Sequence, residues 1–171
     1  MSFNVSEIRK DFPFFNENPN LVYFDNAATT QKPQTVLDSI IKYYSTYNAN
    51  VHRGVYKIAE EATHEFESAR DCIANFIGSK NRENIIITNG ATSSINLVAH
   101  GWAKHHLKTG DHILLTQMEH HSNIVPWHII AEEMDLCIDF IPVIDGQLNL
   151  NDIDKLITNK TKLVSLVHQS N

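Results

Sequence analysis

Ile113-Leu114-Leu115-Thr116 is a short apolar run that gives way at once to a polar stretch, Gln117-Met118-Glu119-His120-His121-Ser122-Asn123. Apolar residues in unbroken succession indicate a strand buried on both faces, since a strand with one wet face would alternate. Residues 124–134 then read as a helix and 137–143 as another strand. The alternation extends in both directions. Upstream, Ile85-Ile86-Ile87-Thr88 reads as a buried strand, followed by a helix over 92–107 with Ile95, Val98 and Trp102 facing inward. Downstream, a short helix over 150–157 precedes a last strand, Leu163-Val164-Ser165-Leu166-Val167. Apolar strands separated by helices specify an α/β fold with a parallel-type sheet flanked by helices.

Nearer the N-terminus the pattern is less regular. Phe12-Pro13-Phe14-Phe15 and Asn16-Glu17-Asn18-Pro19-Asn20 read as an extended arm with a turn, and Leu21-Val22-Tyr23-Phe24 as a short strand. A helix over 34–47 places Val36, Ile40, Tyr43 and Tyr44 on one stripe; another, over 58–77, carries Ala62, Phe66, Ala69, Ile73 and Ile77, with Gly78 as its C-terminal cap. The expected organisation is an N-terminal arm and first helix over 1–50, then an incomplete large domain over 51–171.

The chain has 171 residues and a formal net charge of −6, which argues against a general nucleic-acid-binding surface, where clustered Lys and Arg are needed. No apolar stretch approaches the roughly 20 residues that span a bilayer, and Met1-Ser2-Phe3-Asn4-Val5-Ser6-Glu7 does not resemble a signal peptide. Cys72 and Cys137 sit in no CxxC or Cys/His pattern, so a reducing, cytoplasmic setting is expected, with both thiols acting as small core fillers.

In a parallel sheet, ligands bind outside the carboxyl ends of the strands. Three loops of this kind hold unusual polar residues. Thr88-Asn89-Gly90-Ala91-Thr92-Ser93 joins a strand to a helix through a glycine; free amides and hydroxyls there suit an anion, although a plain N-cap has the same pattern. It is neither a P-loop nor a GxGxxG turn. Glu119-His120-His121-Ser122-Asn123 offers adjacent histidines. Either a solvent-facing pair or one ring stacking on an aromatic ligand fits, whereas no zinc spacing is completed. The third is His168-Gln169-Ser170-Asn171. Two further segments carry candidate groups: Asn50-Val51-His52-Arg53-Gly54, where an arginine could grip a carboxylate or phosphate, and Asp25-Asn26-Ala27-Ala28-Thr29-Thr30.

Taken together these segments resemble the class V aminotransferase family and, within it, the SUF-type cysteine desulfurase and selenocysteine lyase group. Tyr23-Phe24-Asp25-Asn26-Ala27-Ala28-Thr29-Thr30, with Lys32-Pro33, is similar to the family's opening signature. Asn50 to Gly54 resembles a SUF-branch variant, Gly90-Ala91-Thr92-Ser93-Ser94-Ile95-Asn96-Leu97 the phosphate loop, and Glu119 to Trp127 a nine-residue stretch of that branch. The resemblance implies a homodimeric fold type I enzyme using pyridoxal 5'-phosphate. It implies that Ala91 and Thr92 hold the phosphate, His121 stacks on the pyridine ring and Asn171 reaches the ring oxygen or the substrate. Ala28 would line the substrate pocket, with His52 and Arg53 near that pocket or the dimer contact. Ala91 departs from the pattern, since the branch often has threonine there; one hydroxyl donor is lost.

By the same resemblance the whole enzyme would convert L-cysteine (or L-selenocysteine) to L-alanine and pass the sulfur, as a persulfide, to an acceptor protein for iron–sulfur cluster assembly. Its Schiff-base lysine, ring-nitrogen aspartate, sulfur-accepting cysteine and substrate-binding arginine all fall beyond position 171 in the family pattern. Lys160, Lys162, Cys72 and Cys137 match none of them, so no catalytic residue and no metal site is assigned. The isolated chain is expected to be inactive and either prone to aggregate or in need of a partner. A phosphate- or pyridoxal-phosphate-binding module without turnover and a gene fragment are the alternatives, with selenocysteine lyase or another class V aminotransferase as the alternative enzyme.

Overall fold

The computed structural model describes residues 3–170, and the chain divides into two compact units, Met1–Ile86 and Ile87–Asn171. In the first, the expected extended arm is instead two short helices, α1 (Val5–Lys10) and α2 (Pro13–Glu17). Asn4 caps α1, its side-chain oxygen accepting from the amides of Ser6 (3.1 Å) and Glu7 (3.4 Å). Pro13 opens α2 at a position where its missing N–H costs nothing. The Arg9 guanidinium lies 4.1 Å over the Phe15 ring and donates to the Pro19 and Leu21 carbonyls, tying the helices to the chain that follows. Residues 21–24 form no strand; Tyr23 donates to the Thr29 carbonyl (2.5 Å) and closes the 25–30 turn.

Helix α3 (Gln34–Lys42) continues as a wider π-turn, Tyr43–Tyr47, and α4 spans Lys57–Phe76. Gly78 ends α4 at φ +72°, with the Ser79 amide donating to Ala74, as a glycine cap should. The apolar stripes are only partly covered. Ala59, Ala62 and Ala74 are buried on α4, whereas Ala69, Ile73 and Ile77 are exposed, as are Val36 and Ile40 on α3 and Tyr44 in the π-turn. Helical spacing marks which side of a helix is apolar; it does not say what lies against it.

The second unit is the α/β part. Strands β1 (His112–Thr116), β2 (Cys137–Ile141) and β5 (Thr161–Val164) form a parallel sheet in the order β2-β1-β5. Ile113, Leu114 and Leu115 have no exposed surface, as the unbroken apolar run requires of a central strand. Helix α7 (Val125–Met134) links β1 to β2 and packs Trp127, Ile130 and Ala131 on the same core as Ile113 and Leu115. A small hairpin the sequence pattern did not suggest, β3 (Val143–Ile144) with β4 (Gln147–Leu148), turns on Asp145 and Gly146 at φ +50° and +77°. Aspartate-glycine between short apolar pairs is the signal that could have found it. A short α8 (Ile153–Leu156) leads to β5.

Three further expectations change. Residues 85–88 form no strand: Ile85 is buried, but Ile86 and Ile87 are 71% and 52% exposed, and apolar residues without a ladder partner do not make a strand. The helix over 92–107 is α5 (Ala91–Leu97), a π-turn over Val98–Ala103, and α6 (Lys104–His106). The wider turn rotates the face, so Ala99, Ala103 and Leu107 are buried while Val98 and Trp102 are 42% and 40% exposed, Trp102 stacked on His106. Cys72 and Cys137 are exposed free thiols rather than core fillers, one off the apolar stripe of α4 and the other opening β2.

Lys104 reaches Glu133 at 2.6 Å and links α6 to α7. Its hydrogen bond holds the Glu133 carboxyl below the ordinary carboxylate range. A lowered native pKa means the contribution is present above the unfolded value and disappears as pH falls through the native one.

Leu115→Ala removes buried atoms from the core shared by β1 and α7. It should lower unfolding free energy by about 2–5 kcal/mol, measured by denaturant titration.

Candidate functional site

The C-terminal ends of the strands in the second unit carry the polar loops. β1 ends at Thr116, fully buried, and the chain then turns through Gln117–His120 into a short 3-10 turn, His121–Asn123. His120 sets that turn: its Nδ1 accepts from the Ser122 amide at 3.1 Å. The two imidazoles are edge-on, centroids 6.2 Å apart, and both are exposed.

Upstream of β1, Gly90 stands at the start of α5 with φ +141°, a region that favours glycine, and no side chain caps the helix. Thr88 Oγ1 bonds to Ser94 Oγ at 2.7 Å and accepts from the Gly90 amide at 3.3 Å, bracing the turn from one side. The first amide paired in the usual helical way is that of Ser94, to the Gly90 carbonyl at 3.0 Å. Ala91 and Thr92 occupy the first two helical positions and are exposed.

These two loops converge. Thr92, Asn96, His120, His121, Ser122, Val125, Pro126 and Ile129 line one cleft of about 300 Å³. Hydroxyl, amide and imidazole groups stand over an apolar wall. Thr92 and His121, twenty-nine positions apart in the sequence, therefore share a single concavity. Phosphate and a flat heteroaromatic ring are the chemistry this donor set fits, with uncapped helix amides and a hydroxyl for the anion and an imidazole and apolar wall for the ring.

A polar network underlies the loop. Glu119 accepts from Thr116 Oγ1 (2.6 Å), the Val167 amide (2.8 Å) and Asn123 Nδ2 (2.7 Å). Asn123, buried, accepts in turn from Trp127 Nε1 (2.9 Å) and Ser165 Oγ (2.7 Å). Ser170 Oγ donates to the Met118 carbonyl at 2.9 Å. The segment leaving β5 is thus bonded to the loop leaving β1. Neither Glu119 nor Asn123 stood out as a functional residue in the sequence, because two of their partners, Val167 and Ser165, lie 48 and 42 positions away and leave no local pattern.

In the first unit, Ala28 ends a turn whose amide donates to the Asp25 carbonyl, and it is exposed. His52 adopts φ +64° in the 51–53 turn; its amide donates to Thr63 Oγ1 (2.9 Å), its Nε2 lies 3.2 Å from Glu67, and its ring packs edge-on against Phe66. Glu67 also takes both oxygens to Arg70 Nη1, at 3.0 and 2.9 Å, and Arg70 donates on to the carbonyls of Arg82 and Ile85. Arg53 is exposed in the same turn. Asn171 lies outside the described residues. Lys162 is exposed and donates to the Asn159 carbonyl. Among the described residues no group of three or more His, Cys, Asp or Glu side chains is arranged to hold a metal, and no helix is long and apolar enough to cross a membrane.

A helix-flanked parallel sheet with this loop geometry is the architecture of a family whose model, aminotransferase class-V, matches residues 22–171. The chain belongs to that family. It is 46% identical over 174 residues to a probable cysteine desulfurase of Staphylococcus aureus, covering 99% of this chain and 42% of that protein. It is 45% identical to one from Mycolicibacterium paratuberculosis, covering 99% and 25%. Among solved structures it matches an apo cysteine desulfurase from Thermococcus onnurineus at TM-score 0.90 and 42% identity, over all of this chain and 42% of that one. A second match is the cysteine desulfurase CsdA of Escherichia coli, at TM-score 0.80 and 32% identity, over 96% and 41%. The chain thus spans well under half the length of the relatives it matches.

Gly90→Ala forces a side chain into a left-handed backbone. It should cost about 1–2 kcal/mol of stability and loosen the start of α5, seen as faster amide exchange over 90–94.

Proposed function

We propose that this chain forms the phosphate and ring cradle of a cysteine desulfurase that uses pyridoxal 5'-phosphate. The observation that carries the reading is that Thr92, beside an uncapped helix start, and His121 line the same cleft. The amides of Ala91 and Thr92 with the Thr92 hydroxyl would hold the phosphate, and the His121 ring would stack on the pyridine. Val125, Pro126 and Ile129 form the apolar wall against which the ring would pack. Asn171 is assigned to the ring oxygen or the substrate, Ala28 to the substrate pocket, and His52 and Arg53 to the pocket or a dimer contact.

Bound there, pyridoxal phosphate would supply an electron sink for bond breaking next to the amino group of the substrate. For the whole protein we assign release of sulfur from L-cysteine, leaving L-alanine, with the sulfur handed on as a persulfide to an acceptor protein in iron–sulfur cluster assembly. A cytoplasmic homodimer is the expected setting. The relatives named as cysteine desulfurases support this substrate over selenocysteine.

The test is a titration of the chain with pyridoxal phosphate, followed by tryptophan fluorescence and by borohydride reduction. Saturable, non-covalent binding is expected, with no lysine labelled stoichiometrically. Thr92→Val should weaken it by about tenfold, the loss of a hydrogen bond to a charged group, and His121→Ala by about fivefold, the loss of one stacking contact. Absence of binding, or binding indifferent to both substitutions, would refute the cradle.

A further inference from the structure

We propose that Glu119 is the positioning residue of the cleft: its carboxylate locks the loop bearing His120 and His121 to the segment leaving β5, in a hydrogen-bond network that runs one way only. The proposal rests on the cofactor reading above.

The direction of the network follows from groups that can only donate. Trp127 Nε1–H is one, and it points at Asn123 Oδ1 at 2.9 Å. The Asn123 amide is therefore oriented with its oxygen toward Trp127 and Ser165 and its NH2 toward Glu119, where it donates to Oε2 at 2.7 Å. The Val167 backbone N–H is the second obligate donor, 2.8 Å from Oε1. Thr116 Oγ1 accepts from the Met118 amide at 3.1 Å, so its single proton is free to go to Oε1, at 2.6 Å. Both oxygens of residue 119 must then accept, and three donors converge on them. A carboxylate is acceptor-only on both atoms; an amide of the same shape is not.

The consequences reach the cleft through the backbone. Residue 119 immediately precedes His120, whose Nδ1 fixes the 121–123 turn, and Asn123 closes that turn where α7 begins. On the other side the lock holds Ser165 and Val167, and the Ser170 hydroxyl adds a bond to Met118. One partly buried side chain thereby sets the position of two strand-end loops of the parallel sheet. Buried polar groups in such a network are costly when one partner is wrong, because the donor left facing a donor has no water to turn to.

The polarity can be moved without changing shape. In Glu119→Gln, the new NH2 faces either Asn123 Nδ2 or the Thr116 and Val167 donors, and one contact becomes repulsive. In the double variant Glu119→Gln/Asn123→Asp, the amide oxygen introduced at position 119 accepts from Thr116 and Val167. The NH2 of that amide donates to the carboxylate introduced at position 123. That carboxylate still accepts from Trp127 and Ser165.

The experiment uses the full 171-residue chain and reads amide exchange over residues 120–123 and 165–170, with pyridoxal phosphate affinity alongside. E119Q should raise exchange in those two segments by about tenfold or more, leave residues 113–115 protected and weaken the cofactor by about tenfold; the double variant should restore both. If E119Q unfolds altogether, recovery of protection in the double variant still supports the lock, and its failure to recover overturns it. Unchanged exchange in E119Q overturns it as well. Cofactor affinity equal in the parent chain and E119Q overturns the positioning role alone. A parent chain that binds no pyridoxal phosphate overturns the cofactor reading and that role together, while the exchange data still report whether the lock exists.

Discussion

Ile113, Leu114 and Leu115 have no exposed surface, and a strand buried on both faces must have neighbours on both edges and cover on both sides. β2 and β5 supply the edges, both parallel to β1, β2 in unbroken register from His112 and β5 with a register shift between His112 and Ile113. On the face of Ile113 and Leu115, helix α7 and the helical run ending at Leu107 supply apolar cover, with small residues, Ala99, Ala103 and Ala131, at the contact. Because the sheet is parallel, the chain must leave β1 and β5 at the same end. That topological requirement, more than any single contact, gathers the 117–124 and 165–170 segments at one rim.

What the rim then needs is polar closure. Thr116 is buried at the end of β1 and its hydroxyl requires a partner. Glu119 provides it, and in doing so draws in Asn123, Val167 and, through Asn123, Ser165 and Trp127. No buried side-chain nitrogen or oxygen is left unpaired among the described residues. A network of this kind rigidifies a loop without adding apolar bulk, which leaves the neighbouring cleft open for a ligand. The first unit uses a comparable device. Glu67 pairs Arg70, and Arg70 in turn holds the carbonyls of the 82–85 turn, so one ion pair organises a stretch with little apolar cover.

Much of this was legible in the linear sequence. The continuous apolar run of β1, the helix after it and the glycine ending α4 each follow from side-chain pattern or backbone preference within a few residues. The two loops that line the cleft stood out in the same way, as polar clusters whose motifs resemble a known family, although the first of them follows no strand. Other features were hidden for physical reasons. Residues 85–88 have a strand's composition but no ladder partner. The Val98–Ala103 π-turn rotates a helix face that ideal spacing would place elsewhere. Asn4 and Pro13 signal short helices, yet the aromatic run beside them reads as an extended arm.

By itself, then, the sequence determined the fold class, the central strand and the residue types available at the strand ends, because those depend on local period and on burial. The tertiary structure alone decided that Thr92 and His121 share one cleft, that Glu119 must accept on both oxygens, and that Cys72 and Cys137 face solvent. Those are relations between residues distant along the chain, and a hydrogen bond or a shared cavity exists only once packing has brought its two sides within a few ångströms.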